Sequence, residues 1–323
     1  MKLKKMLLYT VLAASFAAAL FCGAEQLSVP DIFCTHDSFS RTIFFSLRLP
    51  RALLCLFSGA LLAGAGASFQ LFFRNPLAEP GILGLSSGAT LGAVLAASCI
   101  SKGTDFLSVH MGAFCGALCS GLIVTLLAGK KSHSTVVILL CGTALGTLYS
   151  AFSSIMLSRQ SERLYAMYTW MLGSFSGRGW AELVFILPPF LGTVLLLFLG
   201  SPQLDLLSCG EITAQSLGAS VTHLRLLVLA AGSLATSAAV SAGGTIGFIG
   251  LIAPHIIRKC FSVKSAPVIF LSMAGGAALM LLSDTIARTV CAPAELPVGT
   301  VTALLGAPFF ISLLFTEKGV QNG

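Results

Sequence analysis

The chain has 323 residues, of which 56% are hydrophobic and 10% charged, and its mean hydropathy is +0.93. A soluble core of this length cannot hide that much apolar surface, so the composition excludes a soluble domain and indicates an all-α, polytopic membrane protein. The formal charge of +7 would point to nucleic acid in a soluble protein, but here the basic residues stand mainly at the ends of apolar segments, where they set orientation.

Lys2, Lys4 and Lys5 precede an apolar run over 6–23. It is long for a signal peptide, and Phe21 before Cys22 does not fit a lipoprotein cleavage site, so it is read as a retained first helix entering from the cytoplasm. Residues 24–47 are expected outside. Further apolar segments follow at about 49–72, 83–100, 107–128, 135–157, 182–200 (ending at Pro202), 224–242, a short one through Pro254 to Arg258, 266–287 and 300–315. That makes about ten transmembrane helices in one domain over residues 1–323, with the C-terminus inside. The map puts eleven Lys and Arg inside and eight outside, in keeping with the positive-inside rule.

Around Arg48 to Gly92 two apolar segments flank the turn Arg74-Asn75-Pro76, Pro80 and Gly81. The first is rich in Gly and Ala, as in a helix packed closely by its neighbours, and irregular backbone at such depth has to be covered by protein or line a watery cavity. A short echo links AEPGILG at 78–84 with AELPVGT at 294–300, as internal repeats in transporters do.

Several chemistries lack their residues. The ten cysteines are scattered through apolar runs without CxxC spacing and read as small hydrophobes rather than a disulfide frame or metal site. His133, His223 and His255 stand singly, without ligand spacing. Gly84-Leu85-Ser86-Ser87-Gly88 fits GxSxG, but its helical setting offers neither the strand nor the histidine that a nucleophile elbow needs. There is no GxxxxGK[ST], so ATP hydrolysis is not expected of this chain.

RLPR at 48–51, FRNPLAEPGILGLSSGA, GFIGLIAPHIIR at 247–258, DTIAR at 284–288 and ELPVGTVTALLGAPFF at 295–310 together resemble the FecCD family. These are permease subunits of binding-protein-dependent ABC importers for iron-siderophore complexes, haem and cobalamin, and the likeness runs over roughly 46–315. It implies a type II ABC importer permease fold in a bacterial cytoplasmic (inner) membrane. Implied partners are a second permease copy, most simply as a homodimer, two ATPase subunits that bind the ATP, and a soluble substrate-binding protein. No cofactor, metal or nucleic acid is implied, and the expected cargo is a ferric siderophore. The remaining alternative is a secondary transporter driven by an ion gradient, which needs an ionisable residue at mid-membrane; the sequence shows none near the helix centres.

The resemblance also assigns sites. Arg48, Arg51 and Arg288, all outside on this map, match arginines that pair with glutamates of the binding protein, a role suited to the guanidinium fork. Without the resemblance they read as helix-end anchors, and Asp284 with Arg288 as a local i,i+4 pair. The loop at about 201–225 matches the coupling element that docks on the ATPase, with Leu207, Gly210, Glu211, Ala214, Leu217 and Gly218 expected to carry it; its pattern alone leaves open both a docking element and a solvated amphipathic connector. A pathway between permease copies is expected along Gly142, Thr143, Gly146, Ser150 and Ser153, with Thr302 from the last helix.

Overall fold

The computed structural model describes residues 2–23, 25, 32, 38–99, 106–131, 135–158, 164–261 and 265–321. Its elements in chain order are α1 (Lys2–Phe21), α2 (Ser38–Thr42), a π turn (Ile43–Arg48), α3 (Leu49–Phe72), a 3-10 turn (Pro80–Leu83), α4 (Leu85–Cys99), α5 (Phe106–Lys131) and α6 (Thr135–Leu157). Then come α7 (Leu164–Met171), α8 (Trp180–Ser208), α9 (Glu211–Ser216), α10 (Val221–Gly243), α11 (Ile249–Cys260), α12 (Ser265–Thr289) and α13 (Val298–Gln321). Among the described residues seven helical segments are long and apolar enough to cross a membrane. With the shorter apolar stretches Leu85–Cys99 and Val298–Ser312, and the twelve-residue α11, they come to roughly the ten segments expected.

α3 is the centre, with α12, α10, α11 and α8 packed around it. Apolar burial does not drive helices together in lipid, so close van der Waals contact has to. Gly59 of α3 faces Gly276 of α12, and Gly66 faces Gly250 of α11; a methyl at either glycine would overlap the facing carbonyl. Gly88 and Gly92 of α4 meet Gly116 and Gly112 of α5 in the same way.

Two boundaries differ from the sequence reading. The end of the expected outer segment is helical, because α2 and the π turn run straight into α3. Pro50 brings no N–H to the first turn, and the chain before it widens until the Leu49 N–H bonds Phe44 O, five residues back. The segment expected to stop at Pro202 continues to Ser208. Pro202 leaves Phe198 O without its usual donor, and the Ser201 hydroxyl takes that carbonyl at 2.8 Å. Likewise Pro254 frees Gly250 O inside α11, and Gln70 Nε2 supplies the bond at 3.1 Å. Neighbouring side chains thus repair the two helices where proline would otherwise end them. As a consequence the expected loop 201–225 shrinks to residues 209–220, which include α9.

Candidate functional site

One end of the bundle gathers charge. Arg51, in the first turn of α3, places Nη2 2.9 Å from Asp284 Oδ1 and Nη1 2.9 Å from Glu295 Oε2. Asp284, 1% exposed, also faces Arg288 Nε at 3.1 Å, an ion pair that lacks the alignment of a hydrogen bond. The expected i,i+4 pair therefore forms, with Arg51 as a third member. Arg48 Nη1 donates to Leu20 O at 3.0 Å and Phe21 O at 2.7 Å, and Arg288 Nη2 to Ala19 O at 2.9 Å. These are the last carbonyls of α1, where cations complement the helix dipole.

Within the single chain the three arginines expected to dock the binding protein already have partners. Arg48, Arg51 and Arg288 are buried and committed within the chain rather than offered as free forks. Arg48 and Arg288 anchor a helix end, that of α1, while Arg51 holds Asp284 and Glu295. Beside them lies a cavity of about 420 Å³ whose wall includes all three, Arg178, Glu25 and Glu295. Arg178 was not singled out from the sequence. It is buried, sets Nη1 2.8 Å from His110 Nε2, and burial lowers its pKa to about 10. Its one sequence signal was an arginine set between glycines in an aromatic segment.

At the opposite end, α8 passes through Gly210 into α9. Gly210 has φ 116° and ψ 147°, a conformation that a side chain resists, and Gly218 has φ 88°. Leu207 and Ala214 are turned inward. Glu211, Leu217 and Gly218 are exposed, and Ile212 (85%) with Leu217 (61%) forms an outward apolar pair. Arg74, at the end of α3, donates to Leu207 O at 2.6 Å and so ties the central helix to the last turn of α8.

The expected pathway residues separate. Thr143 and Ser150 are on the exposed side of α6, where Thr147 and Ser154 join them. Gly142 and Gly146 are buried against Gly84, whose φ of +73° and contact with Gly142 O both call for glycine. Ser153 and Thr302 are 2% exposed, their hydroxyls bonded to Tyr149 O and Gly299 O. These four are buried within the single chain.

One further ionisable group lies within the bundle, outside the helices themselves. Glu79 looks like a loop residue in sequence, but its chain folds back into the bundle and its carboxylate accepts the Phe248 N–H at the start of α11. α11 has twelve residues, about 18 Å at 1.5 Å each, shorter than the roughly 30 Å of a bilayer's apolar core.

Small-residue helix contacts, charge held at the two ends and helices broken partway through define a polytopic membrane protein of the transporter kind. The chain matches the FecCD transport family over residues 11–316 and belongs to it. It is 34% identical to the Fe(3+)-citrate import system permease protein YfmE of Bacillus subtilis, over 98% of this chain and 96% of that one. It is 38% identical to the vitamin B12 import system permease protein BtuC of Klebsiella pneumoniae, over 92% and 89%. A solved structure described as an inward-facing metal-chelate type ABC transporter matches with a TM-score of 0.86 at 33% identity, covering 96% of this chain and 97% of that one.

Proposed function

We propose that this chain is the permease subunit of an ABC importer for a metal chelate, with a ferric siderophore as the first cargo to test and haem or cobalamin as the others. It works in the bacterial cytoplasmic membrane as one of two permease copies, with two ATPase subunits on α9 and a binding protein at the arginine end. ATP stays on the partner, and the chain carries no cofactor of its own. The observation that carries the reading is the outward pair Ile212 and Leu217 on a short element fixed by Leu207 and Ala214, because an exposed apolar knob on a rigid mount calls for a partner groove. The cavity of about 420 Å³ at the other end suits entry of an acidic side chain among its arginines.

Uptake into proteoliposomes decides it. Transport is expected only with a nucleotide-binding subunit and ATP, and uptake driven by a proton or sodium gradient without that subunit would overturn it. Chelate affinities of the binding protein then identify the cargo.

A further inference from the structure

A cavity of about 280 Å³ lies between the Pro80–Leu83 turn, α10 and α11, away from both ends described above, and its wall includes Glu79, Ser86, Thr236, Thr245, Phe248 and Gly250. Since a water takes roughly 30 Å³ of liquid, the space holds several, and its polar wall suits them.

Two features of the wall bear on what it could hold. Among the described residues lining the cavity, Glu79 is the one ionisable group, and no Lys, Arg or His is there to meet its charge. The Phe248 N–H and a helix terminus worth about half an elementary charge do not neutralise a full carboxylate inside the bundle. Thr236, on α10, is 1% exposed and its Oγ1 has no hydrogen-bond partner. Helical threonines ordinarily return the hydroxyl to a carbonyl three or four residues back, as Thr285 and Thr302 do here. Thr236, on the cavity wall, leaves its hydroxyl without a partner. Thr245 is committed elsewhere, donating to Met171 O.

We infer that this cavity binds a single positive charge, a proton or a small alkali cation, on the Glu79 carboxylate, with the Thr236 hydroxyl and water completing its shell. Occupancy bears on the fold because Glu79 is the N-cap of the 3-10 turn and its partner Phe248 is the N-cap of α11, in the left-handed region at φ 68°. The Phe248 ring rests on Gly306 of α13, and the turn ends at Gly84, against α6. Neutralising Glu79 weakens its hold on the Phe248 N–H and loosens one re-entrant segment from the other.

The experiment uses the full chain in lipid nanodiscs, as wild type, Glu79→Gln and Thr236→Val. The proton arm reads the infrared carbonyl band of a protonated carboxyl near neutral pH. The expected result is a band that Glu79→Gln removes and whose titration midpoint moves in Thr236→Val. The alkali arm compares unfolding temperatures in sodium, potassium and N-methylglucamine chloride at equal ionic strength. Here a rise specific to one small cation, lost in both variants, assigns the charge to that cation. With neither the band nor a cation-specific shift, the carboxylate is simply ionised and hydrated, and the inference is overturned. Neither arm involves cargo, ATPase or binding protein, so failure here leaves the proposed function standing.

Discussion

Arg51 and Asp284 stand 233 residues apart in the chain and 2.9 Å apart in space. Their pair joins the first turn of α3 to the last turns of α12, and through Arg288 and Arg48 it reaches the end of α1. Both side chains are withdrawn from solvent, so removing one leaves a buried charge unmatched, which costs far more than the net worth of the pair.

Asp284→Ala is therefore expected to destabilise the bundle by about 3–5 kcal/mol, because it strands Arg51 and Arg288 together. The check is denaturant or thermal unfolding of the purified permease. A change below the scatter of surface substitutions would mean that Glu295 alone suffices for Arg51.

Glu295 is the replaceable member, with its side chain one-third exposed. Glu295→Gln should alter stability by no more than about 1 kcal/mol, since half-exposed pairs are worth little. It should also free the outer face of Arg51 for a carboxylate from a partner. Binding-protein affinity across ionic strength is the measurement: tighter binding at low salt, fading as salt rises, is expected. Equal affinities with equal slopes would leave these arginines with a structural role only. An acid at position 51 would be a poorer test, because it would face Asp284 and Glu295 and disturb the fold itself.

Substitutions at the coupling end should split by the direction of the side chain. Leu207→Ala, which empties a buried position, is expected to cost about 2–5 kcal/mol of stability. Ile212→Asp and Glu211→Lys should leave the unfolding midpoint unchanged while reducing ATPase binding and ATP-driven uptake. Normal uptake by both would show that α9 is not the contact.

Glycine positions offer a graded series. Gly59→Val drives a branched side chain into Gly276 O and should cost about 1–3 kcal/mol or prevent assembly. Gly247→Ala, with no atom within 4 Å of the added methyl, should change stability by less than about 0.5 kcal/mol. Unfolding midpoints of the two variants would test whether backbone contact, rather than glycine content, holds the centre.

Run length and small-residue content made the helices and the close-packed centre legible in the sequence, since both depend on neighbours in the chain. The end of the sixth segment was misread because a proline normally stops a helix, and the repair by Ser201 depends on one hydroxyl finding one carbonyl. Arg48 and Arg288 were harder still. Their partners are the carbonyls of Ala19, Leu20 and Phe21, and backbone groups leave no trace in a sequence of side chains. The resemblance supplied the family and the ends of the molecule that matter, but it could not tell Gly142 and Gly146, which face inward, from Thr143 and Ser150, which do not. The echo between AEPGILG and AELPVGT did mark something structural: Glu79 and Glu295 each reach from just before a helix to a distant segment.

The meeting of α3 with α11 and α12 through glycine backbones has a mechanical consequence. Where main chain touches main chain there are no rotamers to exchange, so the surfaces have no second way to fit together and sliding would bring carbonyls into collision. The middle of the subunit therefore behaves as an axle that turns as one piece. Any change of shape during a transport cycle has to be taken up at the circumference, as by α6, whose outer side is largely uncovered within the single chain.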